Sequence, residues 1–179
     1  MVNSTFLYFA YGSNMLMQRL WQRTPSAHVC GVGMLKGYSL AFRKISEDGS
    51  GKCDVFEASH ETMVYGVVFS IANNERSALD DAEGYGHGYD RTSIRIFLTD
   101  GTPKDCVYYY ATSIDETLLP YDWYHALVIA GAEQHNLPED YSAGLTTQIT
   151  TPDLKLDRRT RLEALKALEE YNRTKTGTP

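Results

Sequence analysis

Cysteine and histidine are both scarce in this sequence, and neither has the spacing of a disulfide framework or a metal site. The three cysteines, Cys30, Cys53 and Cys106, are odd in number and far apart, unlike the paired cysteines of small secreted domains. The five histidines are scattered along the chain, whereas zinc ligands recur at short, regular spacings. We therefore expect no metal site, and we expect reduced thiols, with Cys30 and Cys106 in apolar strands of the core.

Basic residues and long apolar runs are also lacking. The chain has 17 Lys and Arg against 23 Asp and Glu, a net charge of -6, so we expect no nucleic-acid partner. No apolar run is long enough to span a bilayer, and the short run that begins at residue 6 lacks the basic flank and cleavage site of a signal peptide. We therefore expect a cytoplasmic protein without a membrane partner.

The clearest local pattern lies at residues 6–20, FLYFAYGSNMLMQRL. An apolar and aromatic run up to Tyr11 predicts one buried strand, Gly12 breaks it, and a helical pattern begins at Met15. Such a turn leaves backbone N–H groups free at the start of the helix, where they can bind a carboxylate or a phosphate. Ser13 and Asn14 are equally good N-cap residues, so this pattern alone leaves both an anion-binding loop and a structural turn open.

Further strands are predicted between residues 27 and 112. The segments are 27–42, as one long bent strand or two short ones, then 53–58, 63–70, 91–99 and 104–112. The polar segment 46–52, SEDGSGK, predicts a surface loop, and Asp100-Gly101 predicts a turn between the last two strands. Together with the helices, these strands predict an α+β fold.

Three more helices are predicted. Asn73 and Asn74 are expected to cap a helix over 75–82, and Pro120 to begin one that runs to about residue 135. A Thr160–Glu163 capping box predicts a last helix. Its apolar side is expected to hold Leu162, Leu165 and Leu168. We divide the chain into a main domain over 1–145 and an extension over 146–179, with a helix and a tail, 174–179, predicted to be disordered.

Glu83 is a candidate for proton transfer. A carboxylate at the C-terminal end of a helix is disfavoured by the helix dipole, so its position has no evident structural benefit. Asp80 and Asp81 are expected to raise its pKa by adding negative charge nearby. A carboxyl group with a raised pKa can accept and return a proton near neutral pH. The alternative, a solvated acidic helix end, stays open at this point.

Several motifs in this order resemble the γ-glutamylcyclotransferase family. They are FLYFAYGSN at 6–14, LDDAEG at 79–84, Gly88-Tyr89, and YHALVIAGAEQHNLP at 124–138. The resemblance covers residues 6–141 and implies a small mixed β-barrel with surrounding helices, to which the C-terminal helix is added. It also implies a small-molecule γ-glutamyl substrate and no cofactor. Homodimers occur among the members, so a homodimer is one expectation for this chain.

The resemblance also implies roles for individual residues. Glu83 matches the family's acid/base carboxylate, and Asn14 matches the branch that acts on free γ-glutamyl amino acids. The loop that holds the substrate's α-carboxylate is matched by Tyr11, Gly12, Ser13, Asn14 and Met15. The tyrosines that line the pocket are matched by Tyr89, Tyr109 and Tyr124. The neighbours of Tyr109 in its strand, Tyr108 and Tyr110, point to the opposite face, so a one-residue slip in register would exchange them.

The implied reaction converts a γ-glutamyl amino acid, or a γ-glutamyl amine, to 5-oxoproline and a free amine. This chain departs from familiar members at His87 and in the helix after Leu145, which leaves the leaving group open. One alternative is the same chemistry on a γ-glutamylated natural-product intermediate, with 46–52 and His87 as the places where the pocket would differ. Another is a non-catalytic binding or stress protein on the same fold.

Overall fold

The structure, a computed structural model, describes residues 4–177. The strands are β1 (Thr5–Ala10), β2 (His28–Lys36), β3 (Tyr38–Ile45), β4 (Gly51–Glu57), β5 (Met63–Ala72), β6 (Tyr89–Leu98) and β7 (Pro103–Ala111). The helices are α1 (Met17–Trp21), α2 (Arg76–Glu83), α3 (Asp122–Gln134), α4 (Glu139–Thr146) and α5 (Arg159–Thr176). Short 3-10 turns occupy Ser13–Met15 and Asn73–Glu75.

Five of the strands close into a barrel in the order β1-β5-β2-β6-β7. The neighbouring pairs are antiparallel, except that β1 and β7 run parallel where Tyr8 meets Val107 and the barrel closes. The barrel encloses the fully buried side chain of Phe9, which meets Val68 and Ile96 beside Gly33. Phe69 is also fully buried, but it lies on the other face of β5, against His135 at the end of α3. The predicted α+β class and the small mixed barrel with helices around it, including a C-terminal helix, are therefore confirmed.

Strands β3 and β4 form a separate antiparallel pair outside the barrel. The segment 27–42 is thus two strands, and they are separated at Gly37, whose φ of +78° lies in the left-handed region that glycine tolerates. The β3–β4 pairing contains a bulge between Ala41 and Lys44. Bulges bend a strand and re-aim its side chains, and this one lies on the strand that carries Lys44 towards the site described below.

Helix α3 packs closely on the turn that follows β1. A Cβ atom built on Gly131 would lie 2.6 Å from Cβ of Met15 and 2.7 Å from the backbone nitrogen of Leu16, which are distances no side chain could accept. The side chain of Met15 is fully buried, and its carbonyl accepts a hydrogen bond from Nε2 of His135 at 2.9 Å. The absence of a side chain at position 131 therefore sets the distance between α3 and this turn.

The last helix buries a different face from the one predicted. Ala164, Ala167 and Tyr171 are buried, whereas Leu162 and Leu165 are 51% and 39% exposed. Helix α5 lies against α1 and α3, and its small alanines allow this close approach. The predicted capping box is also wrong: the helix begins at Arg159, so Thr160 lies inside it and no side chain caps it. Glu163 instead forms an ion pair with Arg19 at 3.5 Å.

Other predictions need correction at single positions. The helix continues through 174–176, which were expected to be disordered, while 178–179 lie outside the described residues. Helix α4 was not predicted, and neither Asn73 nor Asn74 makes a capping bond. Cys30 is exposed and not in the core; it lies in the exposed first part of β2, with His28 and Val29. Within 4–177, no helix is long and apolar enough to cross a membrane.

Candidate active site

Two connected hollows lie where the barrel meets α2, α3 and the β3–β4 pair. The inner cavity has a volume of about 20 Å³, enough for about one water molecule. It is lined by Tyr8, Tyr11, Gly12, Ser13, Asn14, Cys53, Glu83, Tyr89, Tyr109 and Tyr124. The outer cleft has a volume of about 470 Å³. Both hollows are lined by Ser13, Glu83, Tyr89 and Tyr124, so Glu83 lies at their junction.

The turn after β1 has unpaired backbone amides on the inner cavity. The amide of Met15 donates to the carbonyl of Gly12 at 3.0 Å, so this amide is already used within the turn, and Met15 lines neither hollow. Among residues 4–177, the amides of Gly12, Ser13 and Asn14 have no backbone acceptor. These donors could bind a carboxylate. The helix-cap interpretation is wrong, because neither Ser13 nor Asn14 makes a side-chain cap bond.

The side chain of Asn14 connects three groups of the site. Its Nδ2 donates to Oε1 of Glu83 and to the hydroxyl of Tyr8 at 3.1 Å. Its Oδ1 accepts a hydrogen bond from a terminal nitrogen of Arg23 at 2.7 Å. The same nitrogen of Arg23 lies 3.3 Å from Oε1 of Glu83. Asn14 therefore fixes the position of the Glu83 carboxylate and of the cation beside it.

Glu83 is the last residue of α2, which ends because Gly84 adopts a left-handed conformation with φ +70°. Only 15% of its side chain is exposed. Burial raises the pKa of Glu83, and the charges of Arg23, Lys44 and Arg19 offset part of this rise. The predicted direction of the shift is confirmed, but the predicted cause is wrong.

The neighbouring carboxylates are not among the main causes of the raised pKa of Glu83. The carboxylate of Asp80 faces away: its Oδ1 accepts a hydrogen bond from the hydroxyl of Tyr109 at 2.7 Å and pairs with Nε of Arg91 at 2.8 Å. Asp81 lies on the outer cleft. The charges that act on Glu83 most strongly are therefore positive, and desolvation is the force that opposes its ionisation.

The tyrosines of the inner cavity differ in whether their hydroxyl hydrogens are used. The hydroxyls of Tyr11 and Tyr89 donate to the carbonyls of Tyr109 and Cys53, respectively. The hydroxyls of Tyr8 and Tyr124 instead accept, from Asn14 and from the amide of Cys53. The Tyr124 hydroxyl also donates to the thiol of Cys53, whereas among residues 4–177 the Tyr8 hydroxyl donates to no acceptor. Burial raises the pKa of both Tyr8 and Tyr124 well above the usual range. Tyr8 therefore keeps a hydrogen to donate to a substrate oxygen, and Tyr124 can exchange a weak sulfur acceptor for one.

The structure settles the register of β7. Tyr109 lines the inner cavity, whereas Tyr108 and Tyr110 line a separate groove with Tyr38 and Arg43. All predicted site residues except Met15 are thus brought together around Glu83. Sequence reasoning missed Tyr8, although a phenol inside a buried strand needs a polar partner. It also missed Arg23, for which the available signal was an i, i+4 pair with Arg19.

The outer cleft is lined mainly by polar and charged residues, several of which come from the segment 46–52, the glycine-rich loop and the start of α5. The segment 46–52, expected to be a surface loop, is a tight turn in which Nζ of Lys52 binds Asp48 at 2.8 Å and Ser50 at 2.7 Å. His87 comes from the glycine-rich loop, and Arg158 from the start of α5. Among residues 4–177, no cluster of three His, Cys, Asp or Glu side chains could hold a metal ion.

The chain is similar to proteins of known name. Residues 63–145 match the AIG2-like family. The gamma-glutamylcyclotransferase of Mus musculus is 35% identical over 146 residues, which cover 79% of this chain and 77% of the mouse protein. The gamma-glutamylcyclotransferase of Homo sapiens is 32% identical over 146 residues, with the same coverage of 79% and 77%. A solved structure named gamma-glutamyl cyclotransferase superposes with a TM-score of 0.83 at 26% identity, and the match covers 91% of this chain and 99% of that one.

Proposed function

Because the chain belongs to the γ-glutamylcyclotransferase family, whose enzymes form 5-oxoproline, we propose that it acts on γ-glutamyl amino acids and uses Glu83 as both general base and general acid. The observation that carries this proposal is the position of Glu83. Its carboxylate has a raised pKa and lies where the inner cavity, with its free amides, opens into the outer cleft.

The γ-glutamyl part of the substrate would occupy the inner end of the site. The amides of Gly12, Ser13 and Asn14 are free to bind its α-carboxylate, and Arg23 adds a positive charge close by. Since the inner cavity holds only about one water molecule, the side chains at its mouth must move apart when the substrate enters. The leaving group would then extend into the outer cleft.

Ring closure requires the α-nitrogen to lose two protons. The α-ammonium of the substrate first gives a proton to Glu83, and the free amine nitrogen then attacks the side-chain carbonyl carbon. Protonated Glu83 returns this proton to the departing nitrogen as the amide C–N bond breaks. The ionised carboxylate then takes the second proton from the ring nitrogen and passes it to the departing amine, leaving 5-oxoproline and the amine as its ammonium ion. Both reacting atoms belong to one molecule, so holding the glutamyl chain in a folded-back conformation supplies much of the rate enhancement. A carboxyl group with a raised pKa suits both transfers.

The negative charge that develops on the carbonyl oxygen during the attack must be stabilised by hydrogen-bond donors. The hydroxyls of Tyr8 and Tyr124 line the inner cavity. Among residues 4–177 the Tyr8 hydrogen has no acceptor, and the Tyr124 hydrogen is given only to the thiol of Cys53, a weak acceptor. Their raised pKa values keep them protonated at neutral pH. Donors already oriented in a cavity sheltered from water stabilise such a charge strongly. We assign Tyr8 and Tyr124 this role.

A non-catalytic binding protein would have little use for Glu83 in its present form. An anionic amino acid is bound by cations and backbone amides. A buried carboxylate would weaken this binding, because its negative charge repels the ligand and its own burial carries a desolvation cost. A permanent partner for the substrate ammonium would also be best ionised, whereas burial raises the pKa of Glu83. These features favour an enzyme.

The proposal is tested by measuring 5-oxoproline release from γ-glutamyl-alanine. We expect turnover by the wild-type protein and a loss of at least about a hundredfold in Glu83→Gln, because the amide cannot accept the proton. A circular dichroism spectrum identical to that of the wild type would show that the variant is folded. A folded Glu83→Gln variant with near-normal turnover would remove Glu83 from the mechanism.

A further inference from the structure

The outer cleft contains a cation that touches no carboxylate. The side chain of Lys44 lines the cleft and the residue is 8% exposed. Among residues 4–177, its Nζ makes no hydrogen bond and has no carboxylate within 4.0 Å; its contact is the ring of Tyr89, 4.7 Å from Nζ to the ring centre. The charges of Glu83, Asp48 and Glu47 act on Lys44 from a greater distance, so its ammonium group is open to direct contact with an anion in the cleft.

The other cations of the cleft are already paired. Arg23 binds Asn14 and Glu83, Lys52 binds Asp48, Arg158 binds Asp153, and both Arg19 and Arg159 pair with Glu163. Each of these cations has a carboxylate within 4.0 Å, although Arg19 and Arg159 share that of Glu163. Among the cleft cations of residues 4–177, Lys44 alone has none. The absence of a carboxylate partner therefore distinguishes Lys44 from the other basic residues of the cleft.

The backbone around Lys44 keeps its ammonium group exposed to the cleft. The β3–β4 bulge between Ala41 and Lys44 determines which way the side chain leaves the strand. On the opposite side, a Cβ atom on Gly88 would lie 2.9 Å from Cε and 3.0 Å from Nζ of Lys44, and Gly88 has a left-handed φ of +123°. A side chain at position 88 would therefore displace Lys44, so the glycine and the bulge together create its position.

The location of Lys44 matches one part of the substrate. Tyr89, beneath its ammonium group, lines both hollows, and so does Glu83. Glu83 must reach the nitrogen at which the amide bond breaks, and in an amino acid the carboxylate is attached one carbon from that nitrogen. A carboxylate on the cleft side of Glu83 would therefore come close to Lys44.

We propose, on the basis of the function proposed above, that Lys44 is a specificity-determining residue that binds the carboxylate of the departing amino acid. The enzyme then prefers γ-glutamyl amino acids to γ-glutamyl amines, whose leaving groups are neutral or positively charged. A cationic leaving group is doubly disfavoured, since it leaves Lys44 without a partner and brings a like charge close to it.

The test compares two substrates that differ only in this carboxylate, γ-glutamyl-alanine and γ-glutamyl-ethylamide. We expect wild-type kcat/KM to favour γ-glutamyl-alanine, and Lys44→Met to reduce this preference by about tenfold or more, since a charge-assisted hydrogen bond is lost. Lys44 also lowers the pKa of Glu83, so its removal affects turnover of every substrate. The ratio of the two kcat/KM values at one pH cancels that effect and isolates contact with the carboxylate.

The matched control is Lys36→Met, which removes the same charge from an exposed position at the end of β2 and should leave the ratio unchanged. Turnover of γ-glutamyl-ethylamide reports that each variant is folded, and Lys44→Gln repeats the test with a polar neutral side chain. An unchanged ratio in a folded Lys44 variant overturns the assignment of Lys44 and leaves the proposed function intact. No 5-oxoproline from either substrate with the wild-type protein overturns the proposed function, and the assignment of Lys44 with it.

Discussion

The side-chain amide of Asn14 donates a hydrogen bond to the carboxylate of Glu83, although the two residues are 69 positions apart in the chain. Asn14 follows β1, and Glu83 ends α2. The bond therefore ties the turn with the free amides to the residue proposed to transfer the proton. Asn14 also accepts a hydrogen bond from Arg23, so one side chain positions both the carboxylate and its neighbouring cation.

The Asn14→Asp variant should move the acid limb of the pH–rate profile to higher pH. It places a second carboxylate beside Glu83, and a like charge raises a carboxyl pKa. Glu83 must be ionised to accept the proton, so a higher pKa means that activity is lost at a higher pH as the solution is acidified. The profile of kcat/KM against pH reports this group in the free enzyme. A profile with an unmoved acid limb would contradict the coupling of the two residues.

Glu83→Gln should be at least as stable as the wild type at pH 8. The pKa of Glu83 is raised in the folded state, so the folded protein holds this proton more tightly than the unfolded chain does. The ionised form therefore lowers the free energy of unfolding above the folded-state pKa, and the amide removes this effect. Thermal melts at pH 8 and pH 4.5 should show a gain in Tm that shrinks at the lower pH. A lower Tm than wild type at pH 8 would contradict the raised pKa.

Tyr8→Phe should lower kcat by about tenfold to a hundredfold, because it removes a donor assigned to the developing oxyanion. Asn14 keeps its bond to Glu83 in this variant, so the proton-transfer group stays in place. The control is Tyr108→Phe, which removes the same hydroxyl group from a tyrosine of β7. The side chain of Tyr108 lines a separate groove and does not face the inner cavity. Equal kcat values for the two variants would remove Tyr8 from the chemistry.

Gly131→Ala should impair both stability and turnover. The new Cβ would collide with the Met15 side chain and the Leu16 backbone, and relief of such overpacking costs about 1–3 kcal/mol. The shift would also move the turn that holds the free amides. Gly144→Ala is the matched control, because it adds the same methyl group to a helix at a position with open space around it. There we expect an unchanged or higher Tm, and a Gly131→Ala melt equal to it would contradict the close packing.

The sequence predicted those parts of the site that depend on local geometry. The turn at Gly12 and the end of α2 at Gly84 are both signalled by residues within the element itself. Tyr8, Arg23 and Lys44 could not be assigned in this way, because their roles arise from contacts between distant segments. Lys44, for example, is defined by a ring and a glycine more than forty positions away.

In the fold, too, the features that depend on local sequence were predicted and those that depend on distant contacts were not. Alternation of apolar residues was sufficient to predict the strands and the α+β class. It did not identify the buried face of α5, because this helix has two apolar faces, and the partner helices selected the one with Ala164 and Ala167 over the one with Leu162. Cys30 is exposed because the first part of β2 is left uncovered by other elements, which the composition of the strand does not reveal.

The separation of the β3–β4 pair from the barrel has a consequence for how this enzyme could change. The barrel and its turn carry Tyr8 and Asn14, which would meet the glutamyl part common to all candidate substrates. The β3–β4 pair carries Lys44, which would meet the part that varies. Mutations in β3 could therefore redirect the enzyme to new leaving groups without altering the barrel residues proposed to carry out ring closure. A library confined to residues 38–45 would be the starting point, because it leaves out Cys53 of β4, whose backbone holds the hydroxyls of Tyr89 and Tyr124.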